Sequence, residues 1–294
     1  MLMAARTAPV SGHLLGTLPF LLAGCLPFWA GTLLAQVSGY PLRPGVLLAG
    51  TLAVAGLVLA AFAARETFAP GAGRCPAWRV GAVKGPERPA YALLGLAALM
   101  GAILQFLYHT GDLTIPLGAL GVLGGYFYFA PPLAWHRRGL GEAVGALCFG
   151  VLPVVTGFYL QSGYWVAEEL FYGLPLTWAG FNLFLIYGFP DPREEAPGRH
   201  SLAARLGPVA AALIYTAANV LVILLLVALL FFPASPLPWR NAIWPLLLLA
   251  VVNQELIKRR AYREENRLRL LCRLSLALHL GMGLVFNLML WQRL

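Results

Sequence analysis

Asp191 and Glu195 stand four residues apart in the stretch GFPDPREEAPGRHSLAARLG, residues 188–207, between two long apolar runs. On a helix that spacing stacks both carboxylates on one face, where they can share a hard cation such as Mg2+. Gly198 and Arg199 follow, supplying a turn and a forked guanidinium donor suited to phosphate oxygens. The same residues also fit an ordinary helix start, with Asp191 as N-cap, Pro192 as first helical residue and Glu194 as reciprocal capping partner. Spacing alone leaves both readings open.

The elements that must position this loop read as membrane spans. Apolar residues make up 60% of the chain and charged residues only 11%, where a soluble domain carries roughly a quarter charged. Nine apolar stretches, about 13–37, 44–64, 89–108, 113–130, 141–160, 166–188, 207–232, 239–256 and 272–291, approach the ~20 residues a spanning helix needs. No alternating barrel pattern appears, so the spans are expected to be helices. Of 21 Lys and Arg residues, 18 lie at Arg6 or in the loops 65–88, 131–140, 189–206 and 257–273. That bias predicts a cytoplasmic N-terminus, cytoplasmic loops at 64–88 and 188–207, and a C-terminus outside.

The net charge of +9 therefore reflects topology and contact with anionic headgroups, and no basic soluble domain exists to bind nucleic acid. One membrane domain over 1–294 is expected. Cys25, Cys75, Cys148 and Cys272 are scattered without a CxxC pair, which argues against a disulfide framework or zinc site. The segment LLAGC at 21–25 resembles a lipoprotein cleavage box, but the apolar run continues past it, so a first transmembrane helix is expected. The stretch 256–272 reads as a basic helix lying on the headgroups, with a partner-docking surface. Asn182, Asn219, Asn253 and Asn287 read as interhelical hydrogen bonders.

A second stretch adds a pattern. Residues 126–163 place Tyr128 before Pro131-Pro132, then Gly139-Leu140-Gly141-Glu142, Phe149-Gly150 and Tyr159-Leu160-Gln161. On these residues the chain resembles the UbiA superfamily of intramembrane prenyltransferases, especially its menaquinone-forming, dihydroxynaphthoate branch. The second acidic motif of that family is matched at the same spacing by Asp191, Glu195, Gly198-Arg199, Ser201-Leu202 and Leu206-Gly207. The resemblance implies an all-α integral membrane fold of nine transmembrane helices around a central cavity, in a bacterial cytoplasmic (inner) membrane. It also implies transfer of a prenyl group from a Mg2+-bound prenyl diphosphate to an aromatic or quinone-precursor acceptor.

Site roles follow from the same resemblance. Asp191 and Glu195 would be catalytic and bind metal, with Glu66 as a further metal ligand. Arg199, Lys84, Arg65, Arg137 and Arg138 would hold the diphosphate, and Tyr128, Glu142 and Gln161 would line the acceptor cavity. The first acidic motif departs from the family pattern NDxxDxxxD. Aligned on Phe68, the stretch ARETFAPGAGR gives Arg65, Glu66, Ala69 and Gly73 at its four positions, so two of three carboxylates are missing. Two functional readings result. In one, Arg65, Lys84 and Arg88 take over part of the charge neutralisation in an active enzyme. In the other, an inactive homologue keeps the cavity as a lipid- or quinone-binding or assembly subunit of a membrane complex.

Overall fold

In lipid, a backbone must satisfy its hydrogen bonds within the segment, so long apolar runs become helices. The computed structural model describes residues 10–69, 88–189, 201–231 and 237–294, and contains no strand among them. The helices are α1 (Val10–Val37), α2 (Pro44–Phe68), α3 (Arg88–Ala102, extended by a π turn Ile103–Leu107) and α4 (Thr114–Gly124). They continue as α5 (Gly141–Cys148), α6 (Val151–Ser162), α7 (Glu169–Tyr187), α8 (Leu202–Phe231), α9 (Leu237–Lys258) and α10 (Glu265–Trp291). Each of the nine expected apolar segments falls on a helix. Among the described residues, seven helices are long and apolar enough to cross a membrane, counting α5 and α6 together. The 113–130 segment is shorter, with α4 followed by a 3-10 turn at Tyr126–Tyr128.

Local breaks follow from proline and glycine chemistry. Pro44 opens α2, where its missing N–H costs nothing. Gly207 adopts φ 83 and ψ 163 inside α8 and precedes Pro208, so Leu202–Leu206 forms a separate first turn. That turn sits over the end of the bundle that concerns function.

Helix α1 is central and touches α2, α6, α7 and α10. Its crossing with α6 is backbone against backbone. A Cβ at Gly31 would lie 1.9 Å from the Val154 carbonyl oxygen, and one at Gly157 would lie 2.0 Å from that of Phe28. Lipid tails are as apolar as leucine, so such close approach supplies the packing that holds membrane helices together. Interhelical bonds assist: Asn219 Nδ2 donates to Ala250 O (2.8 Å) and Gln254 Oε1 (2.9 Å), and Asn287 Nδ2 donates to Leu26 O (2.8 Å). Asn253 is buried without a hydrogen-bond partner among the described residues.

One expectation is corrected. Residues 256–272 are not one helix on the headgroups. Chain direction reverses there: Arg260 turns left-handed (φ 58, ψ 40), Ala261 and Tyr262 are buried, and Glu265 starts α10. The Tyr262 ring packs against Phe189 at 5.7 Å, which ties the turn to the bundle rather than to lipid. Cys25 and Cys148 are free thiols.

Because Gly157 meets backbone that cannot yield, Gly157→Val is expected to destabilise the protein by about 3 kcal/mol or more. Gly95→Ala, at a glycine with nothing within 4 Å of a Cβ, should be neutral or stabilising by up to about 1 kcal/mol. Thermal unfolding in detergent separates the two; equal midpoints would contradict the crossing.

Candidate functional site

The end of α2, the connection between α4 and α5, the end of α7 with the start of α8, and the turn between α9 and α10 lie at one end of the bundle. Arg65 and Glu66 stand in the last turn of α2. Arg65 is only 2% exposed; its Nε donates to the Tyr187 hydroxyl (3.1 Å) and its Nη1 pairs with Glu66 Oε1 (2.9 Å). A buried guanidinium costs several kcal/mol in lost hydration unless its donors are met, and Tyr187 at the end of α7 meets one of them. This places a fixed positive group where α2 and α7 converge.

Glu142 stands in the first turn of α5, is 3% exposed, and its Oε1 accepts from Leu202 N (2.9 Å). It thus caps α8 from sixty residues away in sequence. Ser201 completes the cap: its Oγ accepts from Ala204 N (3.2 Å) and donates to Gly188 O (2.8 Å). Both oxygens satisfy N–H groups that a helix start leaves open. Gly188 must be small here, because a Cβ would lie 2.9 Å from Ser201 Cβ and 3.1 Å from Glu142 Oε1. The second carboxylate oxygen of Glu142, Oε2, is buried and has no hydrogen-bond partner among the described residues.

Tyr128 ends the 3-10 turn after α4, and its buried ring packs against Phe129 (4.7 Å) and Phe184 (5.4 Å). Its carbonyl lies 2.8 Å from His136 Nδ1. Burial pushes the His136 pKa below its usual value, and neighbouring Arg137 pushes the same way against the Tyr128 carbonyl. Arg138 folds back onto its own loop, donating to Leu133 O (2.5 Å) and Pro132 O (2.9 Å). Arg137 is exposed, and its carbonyl accepts from Arg205 Nη2 (3.3 Å).

Beneath this end runs a cavity of about 360 Å³ walled by α2, α3, α4 and α6. It reaches from Ala61, Gly125 and Phe149 down to Gly50, Thr114 and Leu160, eleven residue steps or about 16 Å along the helices. Its lining is almost wholly apolar. Val58, Ala61, Gly125 and Phe149 also line a smaller space of about 30 Å³ under Tyr128, Phe129 and Phe184. These four residues form a neck between the two. The large cavity opens sideways between α3 and α4, where Gly118 and Ala119 are exposed.

The structure thus brings Arg65, Glu66, Tyr128, Glu142, Arg137 and Arg138 to one end. Gln161 lies at the other end, where its Oε1 accepts from Arg43 N (3.0 Å) at the start of α2, and it lines neither cavity described here. Lys84, Asp191, Glu195 and Arg199 lie outside the described residues. No group of three or more His, Cys, Asp or Glu occurs among the described ones. Two features escaped sequence reasoning. Tyr187 has no spacing that links it to Arg65. The cavity does leave a trace: Gly118, Gly121 and Gly125 recur on one face of α4 at helical spacing.

Residues 25–279 match the UbiA prenyltransferase family. The chain belongs to the UbiA prenyltransferase family. Among solved structures, the fold of this UbiA chain is similar to a UbiA homolog from Aeropyrum pernix K1 in its apo form. The TM-score is 0.63 at 19% identity, covering 90% of this chain and 96% of that one. A UbiA homolog from Archaeoglobus fulgidus bound to GPP and Mg2+ gives a TM-score of 0.60 at 15% identity, covering 94% and 99%. UbiA prenyltransferase domain-containing protein 1 of Dictyostelium discoideum is 31% identical over 94 residues, 32% of this chain. That stretch spans 28% of the relative's length.

The cap makes Glu142 a joint between α5 and α8 of the UbiA bundle. Glu142→Ala should destabilise by about 1–2 kcal/mol, and Glu142→Gln, which keeps an acceptor oxygen, by clearly less. Thermal unfolding and protease cleavage near residue 200 measure this; identical behaviour of the two variants would remove the capping role.

Proposed function

We propose that this chain transfers a prenyl group from a prenyl diphosphate to an aromatic or quinone-precursor acceptor inside the membrane. The observation that carries the reading is the junction at the neck. A fixed guanidinium and carboxylates stand at one end, with a 16 Å apolar cavity directly beneath. A molecule with an anionic head and a long apolar tail fits both halves, and few other ligands need both. Eighteen of 21 basic residues on one face support nine spans with a cytoplasmic N-terminus, cytoplasmic motif loops and an outside C-terminus. The residues at 126–163 favour an acceptor of the dihydroxynaphthoate type, in a bacterial cytoplasmic membrane.

Arg65, with Lys84 and Arg199, would hold the diphosphate oxygens; guanidinium groups suit them through paired N–H donors. Glu66, Asp191 and Glu195 are the residues that would hold Mg2+, which when bound neutralises the departing diphosphate. Three carboxylates are a lean set for a cation that takes about six oxygens, with substrate and water completing the shell. Arg65 then carries charge that absent carboxylates cannot recruit as metal. The cavity seats the tail and keeps water from the allylic carbon. Glu142 Oε2, buried without a hydrogen-bond partner among the described residues, would accept a hydrogen bond from the acceptor hydroxyl.

The Arg65–Glu66 pair also favours a second reading, because a metal ligand already engaged at 2.9 Å binds a cation less readily. That reading is a non-catalytic lipid- or quinone-binding subunit. Pyrophosphate release and product analysis with Mg2+, a prenyl diphosphate and a panel of hydroxylated aromatic acids decide between them. Turnover is expected, and Arg65→Gln should lower it about tenfold or more while the protein stays folded. Wild-type binding of prenyl diphosphate without turnover on any acceptor is the outcome the second reading requires.

A further inference from the structure

The cavity beneath the neck has an internal scale. An extended carbon chain advances about 1.2 Å per bond, so one isoprene unit with its four chain bonds spans about 5 Å. The small space under Tyr128 and Phe184 takes the first unit, and the cavity length of about 16 Å takes roughly three more. Two glycines keep its far half empty. Gly101 on α3 and Gly118 on α4 both line the cavity, and neither has any atom within 4 Å of where a Cβ would sit. Gly118 lies seven residue steps below Gly125 at the neck, about 10 Å along α4. By contrast, Gly121 one turn nearer the neck is closed by Leu57, 2.9 Å from a Cβ. The opening is therefore local to the region that third and fourth units would occupy.

We propose that this cavity selects isoprenoid chains of four or more units, and that Gly101 and Gly118 are the residues that set this preference. The inference rests on the reading of the protein as a prenyl-diphosphate binder and adds the length of the chain. A two-unit chain passes the neck and stops short of Gly118, leaving the far half without contacts. A four-unit chain fills the cavity to Thr114 and Leu160. Longer chains leave sideways between α3 and α4, where the cavity opens toward lipid, so the device sets a minimum rather than a maximum. Filling Gly118 with a large side chain removes the seat for the last two units without touching the neck or the charged end.

The test measures dissociation constants of the non-hydrolysable thiolodiphosphates of geraniol, farnesol and geranylgeraniol. It uses the full-length wild-type protein and the Gly118→Phe, Gly101→Leu and Gly95→Phe variants, in Mg2+. Gly95 is equally open to a Cβ but does not line the cavity, so it controls for a bulky residue on α3. In the wild type the geranylgeranyl compound should bind about tenfold or more tighter than the geranyl one, because more apolar surface leaves water. Gly118→Phe and Gly101→Leu should abolish that advantage and leave geranyl binding within about twofold, whereas Gly95→Phe keeps it. Equal affinity for all lengths in the wild type, or equal weakening at every length in Gly118→Phe, would overturn the proposal. The uncharged alcohols form a second series. If no diphosphate binds the wild type but the alcohols show the same length pattern and the same loss in Gly118→Phe, the transferase reading fails and the chain-length role stands. No length discrimination in either series overturns the inference itself.

Discussion

The bundle depends on one close approach, the crossing of α1 and α6 at Gly31 and Gly157. Lipid offers no hydrophobic drive to bring helices together, so packing must supply it, and here two helix backbones touch with no side chain between them. Because α1 also packs on α2, α7 and α10, fixing it against α6 fixes the helices that wall the cavity and those that carry the charged end. Glycine serves two opposite purposes in this fold. At 31 and 157 it lets backbones meet; at 101 and 118 it leaves space unfilled. The difference lies in what stands opposite, not in the residue.

At the loop end, the same economy governs charge. Burying Arg65 demands partners, and Glu66 and Tyr187 provide them from two different helices. Glu142 is committed in the same way, since its Oε1 holds the start of α8. Of these two acidic groups, Glu142 joins α5 to α8, and Glu66 balances the buried Arg65 guanidinium on α2. In the proposed prenyl-diphosphate site, the buried Arg65 guanidinium would shift part of the charge neutralisation from metal towards protein. Such a shift changes how strongly ligand binding depends on divalent cation, which is measurable.

Much of this was legible in sequence, and the limits have physical causes. The apolar segments located every helix, because length and hydropathy are local properties. Glu142 was placed near a helix start and at the cavity, yet its role as the cap of α8 joins residues sixty apart and no local spacing reveals it. Gln161 shares a short motif stretch with Tyr128 and Glu142 but sits at the far end, because α5 and α6 carry the chain across the bundle between them. The 256–272 segment was misread as a surface helix since its basic residues suit a headgroup surface; the buried Ala261 and Tyr262 turn it instead. The cavity left only a glycine pattern on α4, which without its facing walls is indistinguishable from a packing stripe.

The central claim is that a half-complete acidic site still binds a prenyl diphosphate. The most direct measurement is Mg2+-dependent binding of a non-hydrolysable prenyl diphosphate to the purified protein, beside an Asp191→Ala/Glu195→Ala double variant. The account predicts binding that strengthens with Mg2+ and loses that dependence in the double variant, with residual metal-independent affinity supplied by Arg65. Absence of binding, or binding indifferent to both Mg2+ and the two substitutions, would contradict it.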